Sequence, residues 1–327
     1  MTQTTSRRAV LSSVAALAGM AVWPGVAART SASLVVPFPA GGPSDAIARI
    51  VNGPLGRELG EQVLVENVGG AAGTLAAQRV LRAAADGRTI LQGTPNETIL
   101  APLALAAATI RAEDFRLVHV VASAVLVFAT RADLGVRTVD ELVTLARNSA
   151  ARPLTYGSIG IGSLNHFIVE DMQRRAGIQL QHVPYRGNAP LVQDLAGGQV
   201  DFAVLVYSAA LGGMVEQGRL RVIAQLGAQR SDLLGNVPTV AEGESLRNFT
   251  FRVWTGLMVA RVTPEPLVQR LHAATGRALQ DPAVRARLVE QTQHAAAPMT
   301  LAEADTFFAA ETARYRALAQ AIGLRPQ

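Results

Sequence analysis

Two stretches of the chain combine glycines with hydroxyl and amide side chains at spacings suited to a small ligand. The first is Pro37-Phe38-Pro39-Ala40-Gly41-Gly42-Pro43-Ser44-Asp45, and the second runs Gly157-Ser158-Ile159-Gly160-Ile161-Gly162-Ser163-Leu164-Asn165-His166. Glycine lets a backbone approach a bound molecule, and the unpaired N–H groups at a helix start favour anions. The backbone of Ala40, Gly41, Gly42, Gly160 and Gly162 is therefore expected at a ligand site. Ser44, Ser158, Ser163, Asn165 and Thr94 can add side-chain donors, Phe38 and Tyr207 can wall the pocket, and Asp45 and His166 are also counted among the ligand-site residues. Asp45 reads as a helix cap that braces the first loop, because like charges repel an anionic ligand. Neither loop contains arginine, so the serines are expected to hold the ligand and Arg186 to matter less.

Catalytic readings are weaker. Ser158 follows Tyr156 and Ser163 follows Ile161 at the position where a nucleophile elbow needs glycine. Gly160-Ile161-Gly162 lacks the third glycine of a dinucleotide fingerprint. His166 and Glu170, four residues apart, can share a helix face as metal ligands. His119, His182, His272 and His294 have no companion spacing and read as packing residues. No spacing fixes a carboxylate to orient His166 beside Ser163, so a Ser163–His166 hydrolase is only an alternative. The chain has no cysteine, and all 30 of its basic residues are arginine. Thiolate nucleophiles, zinc ribbons, P-loop lysines and Schiff-base lysines are thereby excluded. We expect no enzyme, no metal and no cofactor.

The elements that must position these residues alternate between short β-rich runs and helical segments, the mark of an α/β fold with largely parallel sheets. Strands are expected at Leu34–Val36, Val63–Val65, Thr89–Leu91, Leu126–Ala129 and Leu154–Tyr156. Others are expected at His182–Tyr185, Phe202–Val206, Leu220–Ala224 and Phe251–Ala260. Ser44 or Asp45 is expected to cap the first helix, which Gly53-Pro54-Leu55-Gly56 should kink or end early. Ser163 is expected to cap a helix carrying Asn165, His166 and Glu170. Each glycine-rich loop lies where a strand ends and a helix begins, the crevice position for ligands in open α/β sheets.

With 327 residues and 49% hydrophobic composition, the chain exceeds one core, so two lobes of roughly 150 residues each are expected. Residues 1–28 read as an export signal: Arg7 and Arg8, an apolar run from Ala9 to Val22, then small residues at Val26-Ala27-Ala28. Ser6-Arg7-Arg8-Ala9-Val10-Leu11 is similar to a twin-arginine signal, and the Sec route is the alternative. Arg174-Arg175 is the only later arginine pair, so nucleic-acid binding is not expected. No other stretch is apolar enough to span a membrane. The mature protein is expected to be periplasmic and monomeric.

The residues resemble one family along most of the chain. Val36-Pro-Phe-Pro-Ala-Gly-Gly-Pro-Ser-Asp45, Val65-Glu66-Asn67 and Tyr156-Gly-Ser-Ile-Gly-Ile-Gly-Ser163 carry the resemblance. Val183-Pro-Tyr-Arg-Gly-Asn-Ala-Pro190, Gly197-Gly-Gln-Val-Asp201, Val237-Pro-Thr-Val-Ala-Glu242 and Trp254-Thr-Gly256 continue it. This pattern is similar to the solute-binding receptors of tripartite tricarboxylate transporters, the Bug proteins. The resemblance implies a two-lobed, Venus-flytrap fold of the periplasmic-binding-protein type II kind, with mixed, mostly parallel sheets flanked by helices. Residues 29–128 would form the first lobe, 129–252 the second, and 253–327 would return to the first. It also implies a small carboxylate or dicarboxylate ligand delivered to membrane transporter subunits. A stand-alone sensor for a signalling partner is the alternative on the same fold. Val68-Gly69, Arg186 and Tyr315 depart from the residues frequent in the family.

Overall fold

The computed structural model describes residues 31–324 and 326. The expected export signal lies outside the described residues. The strands are β1 (Ser31–Val36), β2 (Gln62–Asn67), β3 (Thr89–Gly93), β4 (Phe115–Ala124), β5 (Leu126–Arg131) and β6 (Thr155–Ser158). They continue with β7 (Gln181–Pro184), β8 (Phe202–Val206), β9 (Leu220–Gln225), β10 (Val253–Ala260) and β11 (Gln293–Ala295). They form two sheets, one of six strands in the order β11-β4-β10-β3-β1-β2 and one of five in the order β7-β6-β8-β5-β9. The fold is α/β, with two mixed sheets flanked by helices.

In each sheet the strand that arrives from the other sheet runs against its neighbours. β10 is antiparallel to β3 and β4, β11 to β4, and β5 to β8 and β9, whereas β1–β2, β1–β3, β6–β7 and β6–β8 are parallel. The sheets are therefore mixed rather than mostly parallel as expected, because each crossing strand enters its sheet reversed. The chain crosses at Val125, between β4 and β5, and returns before Val253. β5 thus belongs wholly to the second sheet, and the first crossing precedes the boundary expected at residue 128. The reason is continuity of burial: Leu126, Val127, Phe128 and Ala129 are all buried in one strand.

Both faces of the first sheet are covered. Leu34 and Val36 pack with Ile47, Ile50, Val51 and Leu55 on one face, while Val35 joins a core on the other. That second core continues through Phe128, Tyr156, Phe167 and Phe202 in the five-stranded half to Trp254 and Tyr315. Strands buried on both faces read as unbroken apolar runs rather than alternating ones. β4, a long strand beside β10, departs from that: Arg116 and His119 interrupt its run, and the sequence pattern passes over it.

Two local expectations are corrected. The helix Pro43–Leu59 runs through Gly53 and Pro54 without ending. Its buried stripe, Ile47 to Leu59, outweighs the one hydrogen bond that proline forfeits. Gly56 is there for space: a Cβ would lie 2.8 Å from the Glu61 carbonyl oxygen as the chain turns back into β2. Neither Ser44 nor Asp45 is the cap either. Gly42 holds that position without a side-chain bond and Pro43 opens the helix, its missing N–H being one the first turn leaves unpaired anyway.

Candidate functional site

The C-terminal ends of β1, β3, β6 and β8 lead into Phe38–Asp45, Thr94–Asn96, Ile159–Asn165 and Tyr207. A cleft of about 350 Å³ opens here, lined from both sheets. The first loop supplies Phe38 through Ser44, and the segment after β3 supplies Thr94 and Asn96. Ile159, Leu164, Asn165 and the run Arg186–Pro190 face them from the second sheet's side, and Thr255 and Gln293 complete the wall. One side chain in this lining carries a positive charge, Arg186, and none carries a negative charge. Arg186 makes no ion pair or side-chain hydrogen bond among the described residues.

The first loop is held from behind. Gly41, with φ of 83°, donates its N–H to Asp45 Oδ2 at 2.9 Å, and Asn67 Nδ2 donates to the Phe38 carbonyl at 3.0 Å. Arg49 Nε donates to the same Asp45 oxygen at 2.9 Å. Burial works to raise the Asp45 pKa, but the hydrogen bonds from Arg49, Gly41 and Asn67 outweigh it and hold the carboxyl below its ordinary value. Asp45 is buried and lies outside the cleft lining; it braces the loop, as its charge suggested. Ser44 lines the cleft with no partner for its hydroxyl among the described residues.

Thr94 is fixed by Glu97, which accepts from the Thr94 backbone N–H and, at 2.7 Å, from its hydroxyl. Burial pushes the Glu97 carboxyl up to about 8, so at neutral pH it is largely protonated. Asn96 Oδ1 accepts from Leu164 N–H at 2.7 Å. This bond ties the turn after β3 to the helix that begins the second loop's wall.

The second loop differs from expectation. Ser158, fully buried, has its hydroxyl 2.7 Å from His182 Nε2 and 3.1 Å from both the carbonyl and the N–H of Gly160. Ser163 caps its helix as expected, accepting from His166 N–H at 3.4 Å, and donates to the Gly160 carbonyl at 2.7 Å. His166 stacks on His182 at 4.4 Å, and His182 stacks on Tyr156 at 4.8 Å. Tyr156 donates its hydroxyl to Glu170 at 2.6 Å. Burial lowers both imidazoles to about 4, with mutual repulsion helping at His182, so both are neutral near pH 7. Burial and then the Glu170 carboxylate raise the Tyr156 pKa.

Ser158, Gly162, Ser163, His166 and Tyr207 are therefore not in the cleft lining, and Gly160 faces an adjoining hollow shared with Phe38, Ile159 and Arg186. The hydroxyls of Ser158 and Ser163 and the ring of His166 are spent on building the loop. The Tyr207 carbonyl accepts from the hydroxyl of Thr292, just before β11, at 2.8 Å. Asn165 does line the cleft, and its Nδ2 donates to the Val204 carbonyl. Sequence reasoning passed over Asn96, Thr255 and Gln293 and discounted Arg186. Asn96 stood at the end of β3 beside Thr94, and position gave the signal. Nothing in sequence marked Gln293, which β11 brings in from far along the chain.

A hydrolytic arrangement is not assembled at Ser163. Its hydroxyl bonds to the backbone of Gly160 and His166, and the His166 ring turns Nδ1 to the Gly162 N–H. Ser158 does meet an imidazole, that of His182, but behind the loop, and no carboxylate among the described residues bonds the other ring nitrogen. Among the described residues there is no cluster of three or more metal-ligating side chains, and no helix is long and apolar enough to cross a membrane.

The family described as tripartite tricarboxylate transporter family receptor, TctC, matches residues 47–324. The chain belongs to this receptor family. Among curated TctC relatives, BugT of Bordetella pertussis is 32% identical over 276 residues, covering 80% of this chain and 82% of BugT. A UPF0065 protein of Agrobacterium vitis is 33% identical over 287 residues, covering 86% of this chain and 81% of that protein. Among solved structures, R. palustris Rpa4515 with adipate superposes with a TM-score of 0.83 at 28% identity, covering 93% of this chain and all of that one. MatC from Rhodopseudomonas palustris with bound malate gives 0.80 at 27% identity, over 88% and 98% of the two chains. This TctC receptor therefore has the fold of a periplasmic binding protein.

Proposed function

We propose that the protein is an exported receptor that binds a small organic carboxylate, of the dicarboxylate class, in the cleft between its two sheets. The carrying observation is the charge of the lining: Arg186 alone, no acid, and the backbone of a glycine-rich loop ahead of a helix start. A buried carboxylate needs donors for its lone pairs, or desolvation opposes binding. A guanidinium fork gives two of them at once. Malate and adipate in similar proteins support the class.

In this reading Arg186 is the principal ionic contact. Ser44, Asn96, Asn165 and the Gly41–Gly42 backbone orient the ligand, and Phe38 and Ile159 exclude water. Ser158, Ser163 and His166 act at one remove, by shaping the second loop. The two halves close on the ligand in the periplasm, and the monomeric, loaded receptor passes it to membrane subunits of a transporter.

Calorimetry with malate, adipate and the corresponding neutral diamides tests this. The acids should bind and the diamides should not, and Arg186→Ala should lose about tenfold or more in affinity, the cost of a charged hydrogen-bond partner. Equal binding of diamide and diacid, or unchanged affinity in Arg186→Ala, would overturn it.

A further inference from the structure

Away from the cleft, a second concave surface of about 560 Å³ lies where the returning chain meets the second sheet's helices. Four arginines line it. Arg174 and Arg175 come from the last turn of the helix Leu164–Ala176, Arg252 from the segment just before β10, and Arg314 from the C-terminal helix Leu301–Ala321. None of its lining residues belongs to the cleft.

The acids that face these arginines are Asp171 and Glu311, both buried. Asp171 Oδ1 takes Arg174 at 2.8 Å, and its Oδ2 takes Arg175 Nε at 2.8 Å. Glu311 is already bonded to the Trp254 indole at 2.9 Å, and it approaches Arg314 and Arg252 only at 3.6 and 4.0 Å. Arg314 Nη2 also donates to the Thr250 carbonyl at 2.6 Å. Four positive charges thus meet two negative ones. The outer nitrogens of Arg175, and nearly the whole guanidinium of Arg252, have no partner among the described residues.

Aromatic faces hold the guanidinium planes in place. Arg175 lies 5.4 Å over Phe249, Arg314 lies 5.4 Å over Phe251, and Arg252 lies 5.6 Å over Phe307. Stacking fixes a fork that would otherwise lose rotamer freedom on binding, leaving its edge N–H groups for a ligand. Convergent, pre-placed forks with surplus charge match the several oxygens of a multiply charged anion.

We infer that this surface is a second binding site, for a multiply charged oxyanion of the phosphate or pyrophosphate type. Its position gives it a consequence. The helix carrying Arg174 and Arg175 begins at Leu164 and Asn165, which line the cleft, and Arg252 immediately precedes Val253, which lines it too. An anion bridging these arginines joins the second sheet's helix to the returning strand and the C-terminal helix. It favours whichever arrangement of the two halves brings the forks together, and so couples to ligand in the cleft, reciprocally.

Titration calorimetry with pyrophosphate, at constant ionic strength set with sodium chloride, tests the site independently of the cleft reading. The full chain and Arg186→Ala should bind pyrophosphate alike. Arg252→Gln should bind it about tenfold more weakly, as expected for one charged donor lost, with Arg252→Lys between them. Arg252 is 63% exposed in its side chain, so this exchange leaves the core intact. Unchanged thermal melting of the Arg252 variants without pyrophosphate confirms that. No saturable uptake by the parent protein would overturn the site, as would equal uptake by Arg252→Gln, or uptake lost in Arg186→Ala.

Discussion

The two glycine-rich loops share a plan, strand into loop into helix, yet the molecule uses them in opposite ways. The first turns its backbone and Ser44 toward the cleft and is braced from behind by Asp45, Arg49 and Asn67. The second turns its polar side chains inward, onto His182, His166 and its own carbonyls, and shows the cleft Ile159, Leu164 and Asn165. A loop can therefore contribute donors or contribute shape. Which it does depends on what lies behind it, and no reading of the loop alone separates the two cases.

Steric fit separates the loops most sharply. Gly162 has φ of 81°, and a Cβ there would lie 2.9 Å from the Ala104 Cβ and 3.1 Å from the Ala101 Cα. Gly42 has φ of −87°, and a Cβ there would meet nothing nearer than the Pro39 carbonyl at 3.7 Å. Gly162→Ala should cost roughly 3 kcal/mol of unfolding free energy, combining strain with overpacking. Gly42→Ala should stay within about 0.5 kcal/mol. Urea denaturation of both variants measures the contrast, and equal losses would erase it.

The serines give a smaller contrast of the same kind. Ser158→Ala leaves His182 Nε2 and the Gly160 N–H short of a partner and should destabilise the fold by about 1–3 kcal/mol, with cleft affinity changed less than stability. Ser44→Ala should leave stability unchanged and weaken ligand binding. Paired melting and calorimetry on the two variants would break the comparison if the effects were interchanged.

Titration gives a graded contrast. His166 and His182 have folded pKa values near 4, below the ordinary value of 6.5, so the unfolded chain binds more protons between those limits. Stability from the second loop's stack is complete above pH 6.5 and should fall by roughly 1 kcal/mol per pH unit for each imidazole on acidification toward 4. Glu97, behind the first loop's neighbour Thr94, has the reverse sign. Its folded value of about 8 lies above the ordinary 4.5, so its contribution is complete below 4.5 and is lost as pH rises through 8. Denaturation across pH 4 to 9 should show Glu97→Gln flattening the alkaline limb and His166→Gln easing the acid limb.

The strands that carry the cleft were legible in sequence because each apolar run is bounded by glycine, proline or polar residues. Leu34–Val36, Thr89–Leu91 and Phe202–Val206 all fall within strands of the fold. So was the placing of both loops at strand ends, since a strand followed by glycines and a capped helix has few other readings. Ser163 capped its helix as its type and position required. These properties are local: they depend on residues within one turn or one strand of each other.

Partnership was decided by the tertiary structure. Ser44 and Ser158 are the same residue type in similar loops, but only the fold sets His182, 24 residues on, against Ser158 and leaves Ser44 unpartnered. The helix through Gly53 and Pro54 persists because a buried face outweighs local propensity. Arg186 becomes the one charge of the cleft because β7 delivers it there, and Arg174, Arg175, Arg252 and Arg314 converge although 140 positions of sequence separate the first from the last. Sequence fixes which groups can donate, accept or turn. Only the packed chain settles which of them are already satisfied, because hydrogen bonds and ion pairs between distant elements carry no local periodicity.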